Sequence, residues 1–297
     1  MKYLARALMA CVAASAVAAP ALGADYVEPV VVEAPEPAPA PVAMGGWYIR
    51  GDIGYAWNKF RGSTYHIDAC GTTCATVEQT GTLNGELKGA FTLGGGIGYH
   101  INHYLRADLT LDHTFKSDFT GSTTGTCTRS TGPGPDGVLG TADDIIGTAT
   151  CTSSDTASFS AMALMANAYV DFGNFGKIKP YVGAGIGGAR VTWSDLSNTI
   201  PAGFHQSGTT VHPGSAEWRF AWALMAGVSV AATHNVDLDF GYRFRRIESG
   251  RMFGWANGAG PGFDHGIEQH EVRAGLRYKF GGGYASAGGC CVETAKY

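Results

Sequence analysis

The chain has 297 residues and a formal net charge of −4, so its composition gives no electrostatic basis for binding nucleic acid. Charged residues make up only 15% of the sequence, well below the ~25% that is usual for soluble domains. Glycine is abundant, with 44 residues, and aromatic residues reach 11%, which is typical of an all-β protein.

The first 24 residues predict a secretory signal peptide. Lys2 and Arg6 flank the start of an alanine-rich apolar run, 7–19, which ends in the small residues APALGAD. The run is shorter than the ~20 residues that a transmembrane helix needs, and no later segment approaches ~18 uninterrupted apolar residues. The chain is therefore predicted to be exported and to lack helical membrane spans.

Residues 25–43 predict a periplasmic linker. This stretch is rich in proline and alanine, contains four acidic residues and has no basic residue. Such a composition cannot build a packed core and favours an extended, polyproline-like chain.

From Trp47 onwards, eight segments alternate apolar and polar residues with a period of two, which predicts eight β-strands. In chain order they are WYIRGDIGYAW, FTLGGGIGYHI, YLRADLTLDHTF, SFSAMALMANAYVDF, PYVGAGIGGARVTWS, WRFAWALMAGVSV, NVDLDFGYRFR and HEVRAGLRYKF. One face of each predicted strand is apolar, and the other carries charged and small residues.

The fifth segment is the exception in this pattern. Val182 and Ile186 at its start have the opposite parity to Val191 and Trp193 at its end. A glycine bulge at 187–188 would reconcile the two halves and would place Val191 and Trp193 on the outer, apolar face.

The two faces fit either a soluble sandwich or a membrane barrel, and three features favour the barrel. The segments have the ~10 residues of a tilted membrane strand, a signal peptide directs export, and aromatic residues gather at the segment ends. These residues are Trp47, Tyr99, Phe172 and Phe280 at one end, and Trp57, Phe115, Trp193, Trp218 and Phe244 at the other. They predict two aromatic girdles at the lipid interfaces.

The predicted connections alternate in length. Short turns lie around Asn102, Asn174 and 234–235, whereas the long polar loops are 58–88, 116–158, 195–216 and 246–268. Short periplasmic turns and long outer loops are typical of outer-membrane barrels. The predicted fold is an all-β, eight-stranded antiparallel transmembrane barrel with four long outer loops.

The polar faces predict a network of charges inside this barrel. Its members are Arg50, Asp52, Arg106, Asp108, Asp237, Asp239, Arg243, Arg273 and Arg277. The pairs expected to meet along or across strands are Arg50 with Asp52, Arg106 with Asp108, and Asp239 with Arg243. The alternative partners for Asp239 and Arg243 lie on neighbouring strands and are Arg219, Arg273 and Arg277.

The stretches GWYIRGDIGYAWNKF, KPYVGAGIGGAR, VDLDFGYRF and VRAGLRYKF resemble small eight-stranded outer-membrane barrels of the opacity-protein type, especially the alphaproteobacterial surface-antigen branch. The resemblance covers 44–280 and implies the outer membrane of a Gram-negative bacterium. It implies a non-enzymatic structural and surface-antigen role in envelope integrity, with loops that meet external ligands. The expected partners are outer-membrane lipid and lipopolysaccharide, the barrel-assembly machinery during insertion, and an extracellular or host ligand.

The tail, 281–297, departs from that family, because such barrels usually end at the terminal aromatic residue, here Phe280. Its adjacent cysteines, Cys290 and Cys291, leave free thiols and intermolecular disulfides both open.

The loop cysteines predict local disulfides in an oxidising compartment. Cys70 and Cys74 share the first long loop, and Cys127 and Cys151 bracket the second. Other pairings stay open, as does a zinc half-site at the C-x-x-x-C pair, although no nearby histidine completes it.

Two sets of loop residues have metal-ligand chemistry. Asp136, Asp143 and Asp144 lie in a glycine-rich turn that could hold calcium, although the EF-hand order is missing. The histidines His205, His212, His265 and His270 lie in or beside the third and fourth loops. Histidines can ligate haem iron or a transition metal, and haem binding is reported for some opacity-type relatives. A solvated turn and surface histidines are the favoured alternatives, so no cofactor is expected.

No catalytic motif of the G-x-S-x-G, H-E-x-x-H or phosphate-loop type is present, and a non-enzymatic protein is predicted. A narrow channel is the alternative function. The small inward residues Gly94, Gly96, Ala221 and Ala223 would leave a water path.

Overall fold

The computed structural model describes residues 45–68, 78–173 and 175–280. The predicted signal peptide, linker and tail lie outside the described residues, as do Cys70, Cys74, Asn174, Cys290 and Cys291. No helix within the described ranges is long and apolar enough to cross a membrane.

The described residues form sixteen β-strands. In chain order they are β1 (Trp47–Phe60), β2 (Ser63–Asp68), β3 (Glu78–Leu87), β4 (Ala90–His100), β5 (Leu105–Ser122), β6 (Thr124–Gly132), β7 (Ile145–Thr152), β8 (Ser154–Asp171), β9 (Ile178–Trp193), β10 (Leu196–Ile200), β11 (Gly208–His212), β12 (Ser215–Ala231), β13 (Val236–Ile247), β14 (Gly250–Phe253), β15 (Ala259–Asp264) and β16 (Ile267–Lys279).

Eight of these strands close a barrel. Each pairs antiparallel with the next in the order β1, β4, β5, β8, β9, β12, β13 and β16, and β16 pairs with β1. They contain the eight segments of alternating residues, and the predicted eight-stranded antiparallel barrel is confirmed. The connections 101–104, 172–177 and 232–235 mark its lower end, and the four long connections mark its upper end.

The pairing register gives the stagger of the barrel. A row of paired residues that starts at Lys59 of β1 runs once around the wall and returns to β1 at Ile49, a displacement of ten residues. The row passes through Glu268, Arg246, Trp222, Ile186, Ala166, Leu109 and Ile97. Eight strands with this shear tilt by about 40° and enclose a space that side chains can fill.

The long connections are not simply polar loops, contrary to the sequence-based expectation. They contain eight further strands: β2 and β3, β6 and β7, β10 and β11, and β14 and β15. Six of them continue the barrel sheet, through pairings such as β3 with β5 and β10 with β8, whereas β6 and β7 form a separate two-stranded sheet. The barrel wall therefore continues upwards as an extension made largely of strands.

The polarity of the wall reverses between the lower barrel and this extension. In the lower barrel the outward side chains form an apolar band that includes Ile53, Leu93 and Leu109, and the inward ones are largely polar or charged. In the extension, inward residues such as Phe119 are buried, and outward residues such as Lys116 are exposed. The same alternation thus faces two media: an apolar exterior below and an aqueous exterior above.

The end of β9 corrects the sequence-based parity. Val191 and Trp193 are buried inside the barrel, whereas Arg190 is exposed outside. The pairing of β9 with β8 and β12 runs through 187–188 without a register shift, so the predicted glycine bulge is absent. This part of β9 lies above the apolar band, where the outside of the wall faces water. An apolar side chain such as Trp193 is buried there only on the inner face, so it points inwards.

A register shift does occur in β5, between Thr114 and Ser117. Phe115 and Lys116 are both exposed on the outside, so the parity of β5 changes at this point. As a result Phe119 faces inwards beyond the shift.

We expect Leu109→Arg to hinder insertion of the barrel into a bilayer. Leu109 is 48% exposed in the apolar band, and an arginine at the bilayer midplane costs about 2–4 kcal/mol. The measurement is the folded fraction in lipid vesicles, followed by heat-modifiable migration in gels. Thr192→Arg, on the exposed outer face of the extension, is the matched control and should fold like the wild type. Equal yields for both variants would contradict the orientation of β5.

Candidate functional site: a filled barrel interior

Arg50 is the centre of a first cluster of charges in the lower barrel. Its guanidinium donates two hydrogen bonds of 2.8 Å to the carboxylate of Asp52 and a third, also of 2.8 Å, to Asp108. Asp52 is shared with Arg273, whose Nη2 atom lies 2.7 Å from Oδ2. All four side chains are buried. Charge-assisted hydrogen bonds of Arg50 connect β1 with β5, and the ion pair of Asp52 with Arg273 connects β1 with β16.

A second cluster lies higher in the lower barrel and is centred on Arg243. The Nη1 atom of Arg243 lies 2.7 Å from Oδ2 of Asp112, and its Nη2 atom lies 2.6 Å from Oε2 of Glu271. The other oxygen of Glu271 accepts a 2.6 Å hydrogen bond from the hydroxyl of Thr92. Because Asp112 is on β5 and Arg243 is on β13, this ion pair crosses the interior rather than following the wall.

Arg277 is the centre of a third cluster near the lower end. Its Nη2 atom lies 3.2 Å from a carboxylate oxygen of Asp237 and 3.2 Å from one of Asp239. The same atom donates a 3.0 Å hydrogen bond to the hydroxyl of Ser229. Lys279 forms a further 2.9 Å ion pair with Asp237.

Arg106 is fully buried beside the third cluster. It forms a 3.1 Å ion pair with Asp171, and its guanidinium lies 4.2 Å from the ring centre of Tyr169 and 4.7 Å from that of Tyr181. Two aromatic faces therefore stabilise this cation in the interior.

All nine predicted interior charges are buried, but two of the three expected pairs do not form. Arg50 meets Asp52, whereas Arg106 pairs with Asp171 and not with Asp108. Asp239 pairs with Arg277, one of its alternative partners, because the barrel stagger brings it there rather than to Arg243. Four further charged residues with the inward parity of their strands belong to the network beyond the predicted nine: Asp112, Asp171, Arg245 and Glu271.

Above these clusters, apolar side chains fill the inside of the extension, and we call this cluster the outer plug. The ring centre of Trp193 lies 5.4 Å from that of Phe159 and 5.7 Å from that of Phe119. The ring centre of Phe60 lies 4.9 Å from that of Phe119. Other members are Leu83, Leu87, Val191, Leu196, Ile247, Met252, Phe253 and Ile267. The outer plug occupies the barrel axis above the charged interior.

Asp264 links three strands at the outer plug. Its fully buried carboxylate accepts hydrogen bonds of 2.9 and 2.7 Å from Nη1 of Arg219 and one of 3.1 Å from Nε1 of Trp193. The backbone N–H of Gly266 donates a fourth, of 3.0 Å. Burial raises the pKa of Asp264 above its usual value, and the charge of Arg219 opposes this only in part.

Asp155 is a second buried carboxylate in the extension. It accepts 3.0 Å hydrogen bonds from the hydroxyl of Ser153 and a 2.5 Å hydrogen bond from the amide of Asn198. Burial raises the pKa of Asp155, while these hydrogen bonds and the nearby His212 act in the opposite direction.

Stability should therefore depend on pH through Asp155. A carboxyl whose pKa is higher in the folded than in the unfolded state binds its proton first in the folded state. The destabilisation from its buried charge is present near neutral pH and disappears as the pH falls towards about 4. We expect the wild type to gain stability relative to Asp155→Asn over this range, measured by urea unfolding. A constant difference between the two proteins would contradict this assignment.

The β6–β7 hairpin carries the disulfide. Cys127 and Cys151 are bonded, with their Cα atoms 5.7 Å apart. In the chain-entropy model, closing a loop of this size contributes about 3 kcal/mol to stability. The hairpin also contacts the third long connection, because the backbone N–H of His205 donates a 2.8 Å hydrogen bond to the carbonyl oxygen of Thr128.

The acidic turn of this hairpin is occupied by its own hydrogen bonds. Asp136 accepts one from the N–H of Val138 at 2.8 Å, and Asp143 accepts one from the hydroxyl of Thr141 at 2.8 Å. Asp144 accepts one from the N–H of Gly140 at 2.8 Å. Hydrogen bonds lower the pKa of Asp143 and of Asp144. These carboxylates are thus arranged as turn-forming groups.

Each of the four candidate histidines has a hydrogen-bond partner of its own. The hydrogen-bond partners are Ser130 for His205, the carbonyl of Gly254 for His212, Thr64 for His265 and Tyr242 for His270. Within the described part of the chain, no group of three His, Cys, Asp or Glu side chains is arranged to hold a metal ion.

Comparisons with known proteins agree with this architecture. The family model for the outer membrane protein beta-barrel domain matches residues 7–280. An uncharacterized Brucella abortus protein is 38% identical over 305 residues, which cover 92% of this chain and 97% of that protein. Outer membrane protein PagN of Salmonella typhimurium is 36% identical over 88 residues, covering 30% and 34% of the two chains.

Among solved structures, the crystal structure of Neisserial surface protein A is similar at 19% identity, with a TM-score of 0.40. The match covers 80% of this chain and 99% of that chain. The family match spans the whole closed barrel. The chain therefore belongs to the outer-membrane β-barrel family and is located in the outer membrane of a Gram-negative bacterium.

Proposed function

We propose that the protein is a closed, non-enzymatic barrel that supports the integrity of the outer membrane and presents a rigid β-extension to the outside. The outer plug is the observation that supports this function most directly, because it fills the axis above an interior already crossed by ion pairs. Long connections of outer-membrane barrels lie outside the cell, which supports an outer position for the disulfide-linked β6–β7 hairpin.

The small inward residues favour a closed barrel over a channel. A side chain at Gly94 would meet the carboxylate of Asp112, and one at Gly275 would meet that of Asp52. The glycines therefore make room for neighbouring charged side chains rather than for water. Ala221 and Ala223 are buried within the outer plug.

We expect the purified, refolded barrel to show no single-channel steps in planar bilayers. The ion-pair clusters and the outer plug occupy the path that ions would take. A porin inserted under the same conditions is the positive control. Reproducible current steps from the wild type would instead support the channel alternative.

The tip of the β6–β7 hairpin is suited to contacts outside the cell. Val138, Leu139, Ile145 and Ile146 are apolar, and each is more than half exposed. The disulfide and the hydrogen bonds of the acidic turn restrict the conformation of the tip, which reduces the entropy lost on binding. We infer that an extracellular or host ligand contacts the protein here.

A variant with 125–151 replaced by a short Gly-Ser turn separates the two parts of the proposed function. In a deletion strain, we expect the wild type and the variant to restore detergent resistance equally, because the barrel is intact in both. Antibodies raised against the hairpin should label intact cells that carry the wild type only. Failure of the wild type to restore resistance would contradict the envelope role, and absence of labelling would contradict the surface role.

A further inference from the structure

Two buried arginines near the lower end of the barrel have N–H groups that their ion pairs do not use. Arg106 pairs with Asp171 through Nε, whereas its Nη1 and Nη2 atoms have no hydrogen-bond partner among the described residues. Arg277 binds its carboxylates through Nη2, and its Nε and Nη1 atoms are also without a partner there. Buried donors are costly unless something accepts their hydrogen bonds. The two guanidinium groups therefore have the capacity to bind a further acceptor.

An unused acceptor lies beside these donors. Asp239 accepts hydrogen bonds from Ser229 and Arg277 through Oδ1, and its buried Oδ2 atom has no partner in the described part of the chain. Nε2 of His100 is likewise unpartnered among the same residues. The charges of Arg106 and Arg277 act on both Asp239 and His100, which places the four side chains in one region of the interior. This region offers several N–H donors and one carboxylate oxygen to a ligand.

The lower end of the interior also carries an excess of positive charge. Among the described residues, the inward-facing charges there include four cations and three carboxylates: Arg106, Arg277, Lys179, Lys279, Asp171, Asp237 and Asp239. The cluster of Arg50 does not offset this excess, because its two arginines face two carboxylates. A small anion is therefore attracted to the lower end, although the whole chain is negatively charged.

Several donors, one acceptor and a positive excess match an oxyanion that still carries a proton. We propose that the lower end of the barrel binds one inorganic phosphate ion. Its oxygens accept hydrogen bonds from Arg106 and Arg277, and its P–OH group donates one to Oδ2 of Asp239. Short turns of outer-membrane barrels face the periplasm, so the ion enters from that side. Entry displaces the side chain of Lys279, which is 15% exposed and pairs with Asp237.

The test titrates inorganic phosphate into the refolded full-length protein in a non-ionic detergent, with binding measured by isothermal titration calorimetry. Sulfate is the second probe, because it has the same shape but no proton to donate to Asp239. We expect one phosphate ion to bind per barrel and sulfate to bind about tenfold or more weakly, since it would leave the carboxylate oxygen unpaired. An absence of saturable phosphate binding, or equal binding of the two anions, would overturn the proposal.

Two substitutions separate the donors from the acceptor. Arg106→Lys keeps the positive charge but removes both Nη atoms, so it should weaken phosphate binding by about tenfold or more. Asp239→Asn introduces an amide that can donate to an oxyanion, and it should narrow the preference for phosphate over sulfate.

Arg243→Lys is the matched control, because it makes the same change in a different buried cluster and should bind phosphate like the wild type. Heat-modifiable migration in gels shows whether each variant is folded. The ratio of the two affinities in Asp239→Asn decides the test even where Arg106→Lys does not fold. Equal phosphate binding by Arg106→Lys and Arg243→Lys, or an unchanged preference in Asp239→Asn, would contradict the proposed site.

Discussion

Asp264→Ala should lower the free energy of unfolding by about 3–5 kcal/mol, the range expected when one partner of a buried ion pair is removed. The substitution leaves the guanidinium of Arg219 with only the partly exposed Glu217 as an ion-pair partner and removes the hydrogen-bond acceptor of the Trp193 indole. Both groups lie at the outer plug, where bulk water does not replace the lost partner. The measurement is urea unfolding of the barrel in lipid vesicles, followed by tryptophan fluorescence and gel migration.

Asp118→Ala is the matched control for this prediction. Asp118 also forms an ion pair, with Lys88, but both side chains are more than half exposed. Exposed pairs contribute about 0–1 kcal/mol, so the control should unfold close to the wild type. Similar midpoints for the two variants would show that Asp264 is not a structural link of the outer plug.

The lower barrel could be predicted from the sequence because the pattern of residues within each strand determines which side chains face outwards. Alternation with a period of two fixes which side chains share a face, and positions such as Ile53 and Leu109 needed no knowledge of distant residues. The number of segments and the alternation of short and long connections then determined closure and topology. These are the parts of the fold that the structure confirms.

The extension could not be predicted in the same way. The alternation of apolar and polar residues does not show at which residue a strand leaves the bilayer. Trp193 continues the parity of Ala189 on β9, but the exterior has changed from lipid to water. A rule that places aromatic residues outside therefore assigns Trp193 to the wrong face. The partners of Trp193 in the outer plug come from distant strands, for example Phe60 of β1, and no local pattern connects them.

The partners of the interior charges also could not be predicted from local sequence patterns. Parity placed Arg243 and Asp239 on one inward face, but it left open whether they meet each other or pair with residues of neighbouring strands. Their actual partners are set by the stagger of the barrel and by the reach of the side chains: Asp112 lies 131 residues from Arg243 in the chain. Strand parity is therefore predictable from the sequence, whereas pairing across the interior requires the closed barrel.

Arg243→Ala should also reduce stability by about 3–5 kcal/mol, because it leaves Asp112 and Glu271 without their main cation. Double-mutant thermodynamic cycles can identify which of these residues are energetically coupled. Arg243→Ala combined with Asp112→Ala should cost clearly less than the sum of the single losses, because the two substitutions remove one shared ion pair.

Arg243→Ala combined with Asp239→Ala is the matched cycle, and its losses should add to within about 0.5 kcal/mol. Asp239 binds Arg277 and Ser229 and shares no partner with Arg243. Both cycles use urea unfolding in lipid vesicles. Coupling between residues 239 and 243 as large as that between 112 and 243 would mean that the interior charges act as one undivided network. Stability unchanged by Arg243→Ala, together with measurable ion conductance, would instead indicate a hydrated interior, in which ion pairs contribute little and the channel alternative becomes the better description.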